Sequence, residues 1–131
     1  IVERTTAMLM VRKLPQGKNA EDLAKQVIDM LLPYKDDIHS ITSDNGSEFA
    51  RHKSIAKKLD CEFYFAHPYA SWERGLSENS NKLIRQYILK KSNFDEYSEE
   101  YVKQVQLKIN RRPRKNLNFE TPTKIFYSLV A

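Results

Sequence analysis

The stretch SDNGSEF occupies residues 43–49, and a second one, SWERGLSENSNK, occupies residues 71–82. The first follows a short run that predicts a strand, so Asp44 lies at a strand end, directly before an Asn-Gly turn. The second leads into a predicted helix that has Glu78 at its start. We therefore expect the two carboxylates to approach each other, one from a strand end and one from a helix start.

Binding of divalent metal ions is the chemistry that such a carboxylate pair suggests. Mg²⁺ prefers oxygen ligands, and two ions about 4 Å apart can stabilise both the attacking and the leaving oxygen of a phosphodiester. Lys82 and Arg85 fall on the helix stripe of Glu78 and can hold a phosphate backbone. A structural alternative is that Asp44 serves the turn and Glu78 complements the helix dipole.

Longer motifs extend from these two stretches. They are DNGSEF at 44–49, HPYASWERG at 67–75, GLSENSNK at 75–82, LIRQY at 83–87, NRRPRK at 110–115 and TPTKIF at 121–126. With these motifs the chain resembles the integrase-type catalytic core of DDE transposases and retroviral integrases. More narrowly, it resembles bacterial insertion-sequence transposases of the thirty family. The resemblance covers essentially all of residues 1–131, as one domain.

The resemblance implies a reaction, a site and a cofactor. Asp44 and Glu78, with 33 residues between them, match the second and third catalytic acids of the family, which hold two Mg²⁺ or Mn²⁺ ions in the intact enzyme. The implied reaction is metal-dependent DNA strand cleavage and strand transfer, on element ends and target DNA. The implied setting is the bacterial cytoplasm, in association with the nucleoid, with a homo-oligomer as the intact form and no membrane.

The fold that the resemblance implies is α/β and ribonuclease H-like, a mixed sheet flanked by helices. The family's first catalytic Asp lies on an opening strand that would precede Ile1. We therefore expect the first strand and its acid to be absent, and this chain by itself neither to cut nor to join DNA. Two alternatives stay open, namely a non-catalytic transposase remnant that only binds DNA and a ribonuclease H-like nuclease.

The composition is that of an ordinary globular domain. Of the 131 residues, 40% are hydrophobic and 30% are charged. No apolar run approaches the roughly 20 residues that cross a bilayer. The single cysteine, Cys61, cannot form an internal disulfide, which fits a reducing cytoplasm, and a small core side chain is its expected role.

Basic residues are unevenly placed and suggest contacts to DNA. Between Val102 and Asn118 there are six basic residues and no acidic one, within a chain of net charge +5. A solvated face is the plain alternative, but the nearby carboxylate pair favours nucleic acid. The candidates for DNA contact are Asn81, Lys82, Arg85, Arg111, Arg112, Arg114, Lys115 and Trp72. The indole of Trp72 could equally pack at the core edge or stack on a displaced base.

The predicted elements alternate between strands and helices. Strands are predicted over 5–14, 38–43 and 62–66, and helices over 20–32, 48–59, 78–91 and 98–110, followed by a short one from Thr121. Asn45 is expected to cap the second helix together with Glu48. In the fourth helix, Tyr101, Val105 and Ile109 are expected to turn inward.

Overall fold

The computed structural model describes residues 1–14, 19–67, 75–89 and 96–130, the side chains of 75–77 excepted. The chain groups into two compact units. The central unit runs over Leu14–Glu73, and the discontinuous unit combines Ile1–Lys13 with Arg74–Ala131. Each unit has its own cluster of buried apolar side chains.

Among its described residues, the central unit alternates helices with two short parallel strands. Its elements are α1 (Ala20–Leu31), β1 (Ser40–Ser43), α2 (His52–Leu59) and β2 (Glu62–Phe65), with 3-10 turns at Leu32–Asp37 and Ser47–Phe49. In the sheet Ser40 lies opposite Glu62, and Ser43 lies opposite Phe65. A parallel pair joined through a helix confirms the mixed α/β class. The larger sheet of a ribonuclease H-like fold stays a prediction.

Helix α1 begins where the sequence predicts. Asn19 Oδ1 accepts the backbone N–H groups of Glu21 at 2.9 Å and Asp22 at 3.2 Å, which satisfies two donors of the first turn. The α-helical part ends at Leu31, one residue before its predicted end, and the chain continues as a 3-10 turn through Pro33. Proline is tolerated there because the first turn of a helix does not use its N–H groups.

The core of the central unit lies between its two helices and the sheet. Ile55 and Leu59 of α2 are both 0% exposed. Cys61 packs against this cluster and is half-buried, so its predicted role at the core is confirmed. Burial, and then the charges of Asp60 and Glu62, raises the pKa of the Cys61 thiol. The thiolate form is therefore disfavoured at neutral pH.

The discontinuous unit contains three helices among its described residues. They are α3 (Gly75–Ile84), α4 (Glu99–Asn110) and α5 (Pro122–Val130), with a 3-10 turn at Lys115–Leu117. The prediction of a helix over 78–91 is corrected, because α3 starts three residues earlier and gives way to a turn after Ile84. The predicted cap at Thr121 is confirmed, because Thr121 Oγ1 accepts the N–H of Lys124 at 3.3 Å. At the start of α4, Ser98 Oγ accepts the N–H of Tyr101 at 3.0 Å.

The extended strand predicted over residues 5–14 is wrong. An antiparallel bridge joins Val2 to Leu9, and the backbone N–H of Met10 donates to the carbonyl of Ile1 at 2.8 Å. The chain reverses between them through a turn in which Ala7 has a φ of 60°. The opening segment is thus a tight hairpin-like loop and not a regular strand.

Side chains of α4 take the place of a neighbouring strand. The amide of Asn110 accepts the backbone N–H of Leu9 and donates to its carbonyl, both at 2.8 Å. Gln106 Oε1 accepts the N–H of Val11 at 2.8 Å. These bonds satisfy backbone groups that a strand partner would otherwise have to satisfy, which explains why the segment stays irregular.

The inward face of α4 differs from the prediction at one position. Val105 and Ile109 are each 1% exposed, as expected, but the third buried apolar residue is Val102, at 4%. Tyr101 is 37% exposed, and its hydroxyl donates to the carbonyl of Tyr87 at 2.7 Å. Tyrosine keeps its hydroxyl near a polar partner, whereas valine can be buried without one.

Among the helices of the described ranges, none has both the length and the apolar content that a bilayer crossing requires.

Candidate functional site

Asp44 lies at the carboxyl end of the parallel sheet. It follows β1 directly, and the N–H of Ala66, which follows β2, donates to the carbonyl of Ser43 at 2.7 Å. The Asp44 side chain is exposed. Ligands of parallel α/β sheets bind outside the carboxyl ends of the strands, so Asp44 occupies the edge where a functional carboxylate is expected. The prediction that Asp44 closes a strand is confirmed.

The turn after Asp44 is built differently from the predicted capping box. The N–H of Gly46 donates to the carbonyl of Asp44 at 3.1 Å, and a 3-10 turn then starts at Ser47. Asn45 does not cap this 3-10 turn, because Gly46 occupies the N-cap position and no side chain bonds there. Helix α2 begins only at His52, so its predicted start at Glu48 is also wrong.

Gly46 has a packing role in this turn. A Cβ at Gly46 would overlap the carboxylate of Glu48, whereas its φ of −104° is open to any residue. Glycine accommodates the present position of the Glu48 carboxylate, a flexible group that can move aside, and is not needed to reach a special backbone conformation.

Glu78 lies in the first turn of α3, and its side chain is exposed. Asn81, Lys82 and Arg85 are exposed as well, whereas Leu83 and Ile84 are half-buried. The N–H of Arg85 donates to the carbonyl of Asn81 at 3.0 Å, so helical bonding reaches one residue beyond α3. The predicted stripe of Glu78 with basic neighbours is confirmed as an exposed face of the discontinuous unit.

Asp44 belongs to the central unit, and Glu78 belongs to the discontinuous unit. Among the residues that the structure describes, neither Asp44 nor Glu78 forms an ion pair, and both are open to solvent. The described ranges contain no group of three or more His, Cys, Asp or Glu side chains that could hold a metal ion. A metal site shared by Asp44 and Glu78 therefore stays a prediction.

The basic residues after α4 divide into two kinds. Arg111 and Lys115 are exposed, whereas Arg112 and Arg114 are half-buried. Arg114 Nη2 donates to the carbonyl of Ile109 at 3.0 Å and Arg114 Nε to that of Arg112 at 3.3 Å. Burial, and then the charge of Arg112, lowers the pKa of Arg114. Arg114 thus has a structural role at the end of α4, and its predicted contact to DNA would have to be an additional one.

Sequence reasoning missed two side chains that accompany Arg112. Arg112 donates to the hydroxyl of Tyr87, and Lys108 lies over the ring of the same tyrosine. Lys108 and Arg112 are four residues apart on and beyond α4, a spacing that brings side chains together on a helix. That spacing could have paired Lys108 with Arg112 from the sequence. It could not have added Tyr87, which follows a different helix, α3. Trp72, the remaining candidate, lies outside the described residues.

Comparison with curated proteins finds insertion-sequence transposases over the full length of this chain. The chain is 47% identical over 130 residues to the transposase for insertion sequence element IS4351 of Bacteroides fragilis, covering 99% of the chain and 40% of that protein. It is 34% identical over 132 residues to transposase InsI for insertion sequence element IS30C of Escherichia coli strain K12, covering 100% of the chain and 34% of that protein.

A third relative extends the range of organisms. It is the probable transposase for insertion-like sequence element IS1161 of Streptococcus salivarius, 36% identical over 126 residues, which covers 96% of the chain and 35% of that protein. The chain therefore spans well under half the length of the curated relatives it matches. No protein-family model matches the chain. The resemblance to insertion-sequence transposases is confirmed, and the integrase-type DDE core stays a prediction.

Proposed function

We propose that this chain is the catalytic core of a DDE-type transposase, which performs metal-dependent DNA strand cleavage and strand transfer. The observation that carries the proposal is its similarity to insertion-sequence transposases along 96–100% of its length. The placement of Asp44 and Glu78 supports it, since both carboxylates are exposed at ends of regular elements. The residues proposed as metal ligands and catalytic acids are Asp44 and Glu78.

The chemistry of these side chains fits Mg²⁺ or Mn²⁺. Carboxylate oxygens are the ligands that both ions prefer, and an exposed carboxylate without an ion pair is open to one. A metal ion bound at such carboxylates would lower the pKa of its bound water and stabilise negative charge on phosphate oxygens. The chain's own contribution is to hold Asp44 on a strand end and Glu78 on the first turn of a helix, where the backbone fixes both.

The proposed partner is DNA, and charge favours the discontinuous unit as its contact surface. That unit carries 15 Lys and Arg against 7 Asp and Glu, whereas the central unit carries 7 against 10. Its exposed stripe of Asn81, Lys82 and Arg85 lies on the same helix face as Glu78. Contacts from Lys and Arg to phosphates supply most of a sequence-independent affinity for DNA.

A titration with Mn²⁺ tests the proposed site on this chain. Paramagnetic Mn²⁺ broadens the NMR signals of nearby amides, and we expect broadening at both 43–46 and 78–82. Asp44→Asn should abolish the broadening at both segments, and so should Glu78→Gln, because each removes one ligand of a shared ion. Asp37→Asn removes an exposed aspartate of the same unit as Asp44 and should change nothing. Broadening at 78–82 that persists in Asp44→Asn would overturn the shared site.

A second prediction concerns the DNA surface. Replacing both Lys82 and Arg85 with alanine should weaken binding to a short duplex about tenfold and flatten the salt slope by about 2, because each basic contact contributes about 1. The matched control is Lys57→Ala with Lys58→Ala, which removes two exposed charges from α2 of the central unit. Fluorescence anisotropy between 50 and roughly 200 mM salt measures both quantities. Equal losses in the two double variants would count against the α3 face.

A further inference from the structure

Two cations lie against one aromatic ring in the discontinuous unit. Lys108 Nζ is 5.7 Å from the centroid of the Tyr87 ring, and Arg112 Cζ is 5.4 Å from it. Arg112 Nη2 also donates a hydrogen bond to the Tyr87 hydroxyl. Each distance is within the range of a cation–π interaction, so one tyrosine gathers a lysine and an arginine around itself.

Tyr87 is held firmly enough to act as a platform. Its ring packs against the core cluster that contains Val105 and Ile109. Its N–H donates to the carbonyl of Ile84 at 3.0 Å, and its carbonyl accepts the hydroxyl of Tyr101 at 2.7 Å. Both the backbone and the ring of Tyr87 are therefore positioned before any ligand arrives, which lowers the entropy cost of binding.

The charge around this tyrosine is not compensated by the described residues. Within those ranges neither Lys108 nor Arg112 forms an ion pair with a carboxylate. Arg112 also lies close to Arg114, since burial, and then the charge of Arg112, lowers the pKa of Arg114. Like charges kept this close raise the free energy of the site, and an anion placed among them would lower it.

We propose that Lys108, Arg112 and the Tyr87 hydroxyl form a binding site for one phosphate group of the DNA backbone, a proposal that rests on the proposed function. The Tyr87 oxygen accepts from Arg112, so its own hydrogen is left to donate, and within the described residues it has no acceptor. Arg112 keeps further N–H donors, and Lys108 contributes an exposed ammonium. Charged and neutral donors gathered around one ring suit the oxygens of a phosphodiester.

The test compares four variants in binding to a short duplex, by fluorescence anisotropy over a range of salt concentrations. Lys108→Gln removes one charge without removing a hydrogen bond within the described structure. Lys108→Gln with Arg112→Gln removes both cations. Tyr87→Phe removes the hydroxyl and keeps the ring that packs on the core. Lys103→Gln is the matched control, because it removes an exposed lysine from the same helix.

The three site variants should differ in a characteristic way. Lys108→Gln should flatten the salt slope by about 1, and the double variant by about 2, because each phosphate contact contributes about 1. Tyr87→Phe should weaken binding about fivefold with an unchanged slope, since it removes a donor and no charge. Lys103→Gln should match the unmodified chain. Thermal unfolding of each variant checks that it is folded. If the double variant does not fold, the salt slope of Lys108→Gln alone tests the proposal.

Two results would overturn the proposal while leaving the proposed function standing. In the first, the unmodified chain binds DNA and neither Lys108→Gln nor Tyr87→Phe changes that binding. The contacts around Tyr87 would then serve packing alone. The other is an equal loss in Lys103→Gln and Lys108→Gln, which would mean that overall charge and no defined site binds the phosphate. Absence of any DNA binding by the unmodified chain would instead count against both proposals.

Discussion

Replacing Asn110 with alanine is expected to lower the free energy of unfolding by about 3 kcal/mol. Asn110 is 1% exposed and bonds to both backbone groups of Leu9, itself 3% exposed. Alanine would leave a buried N–H and a buried carbonyl without a partner. Each unsatisfied buried group costs about 1–3 kcal/mol, which is a large share of the stability of a domain this small.

Urea unfolding followed by circular dichroism measures this loss, and hydrogen exchange at the Leu9 amide locates it. The Leu9 N–H should exchange far faster in Asn110→Ala, because its acceptor is gone. Asn116→Ala serves as the control, since Asn116 is exposed and its replacement should change stability by less than about 0.5 kcal/mol. A loss below about 1 kcal/mol in Asn110→Ala would indicate that water replaces the amide.

Asn110→Asp sharpens the same prediction through pH. Aspartate keeps an acceptor for the Leu9 N–H but loses the donor to its carbonyl, and its ionised form is buried. Burial raises the pKa of a carboxyl group in the folded state, so the variant should lose stability as pH rises through that pKa. Asn110→Asp should therefore unfold more easily at neutral than at acidic pH, whereas Asn110→Ala should show no such difference between the two.

Local sequence signals predicted the features that depend on neighbouring residues. Asn19 and Thr121 cap their helices because an Asn or Thr side chain reaches N–H groups two or three residues ahead. The strand before Asp44 and the first-turn position of Glu78 were predicted from the same kind of local pattern. Such features need no knowledge of the distant chain.

The features that sequence analysis missed depend on distant partners. The segment over residues 5–14 has the composition of a strand, but Asn110, 101 residues after Leu9, supplies its hydrogen bonds. The cluster around Tyr87 joins a residue after α3 to Lys108 and Arg112, and no periodicity within one helix can reveal it. Tyr101 was misplaced because helical spacing alone does not distinguish it from Val102.

The largest expected effect on activity follows from the two carboxylates. In a full-length transposase that carries the sequence of this chain, Asp44→Asn and Glu78→Gln should each reduce strand cleavage and strand transfer by at least about a thousandfold. An amide has nearly the shape of a carboxylate but lacks its charge, so the fold should persist while the affinity for Mg²⁺ falls. Assays with a labelled element end and a supercoiled target, in Mg²⁺ and in Mn²⁺, measure both reactions.

Matched controls separate loss of a ligand from loss of a charge. Glu99→Gln is the control for Glu78→Gln, because it replaces a glutamate in the first turn of α4. Asp37→Asn is the control for Asp44→Asn, because Asp37 is also exposed. Both controls should keep full activity. If Glu78→Gln and Glu99→Gln both retain activity, the role of Glu78 is to complement the helix dipole, as in the structural alternative. Retention of activity in Asp44→Asn would likewise reduce Asp44 to a turn residue and remove the metal site from the proposed function.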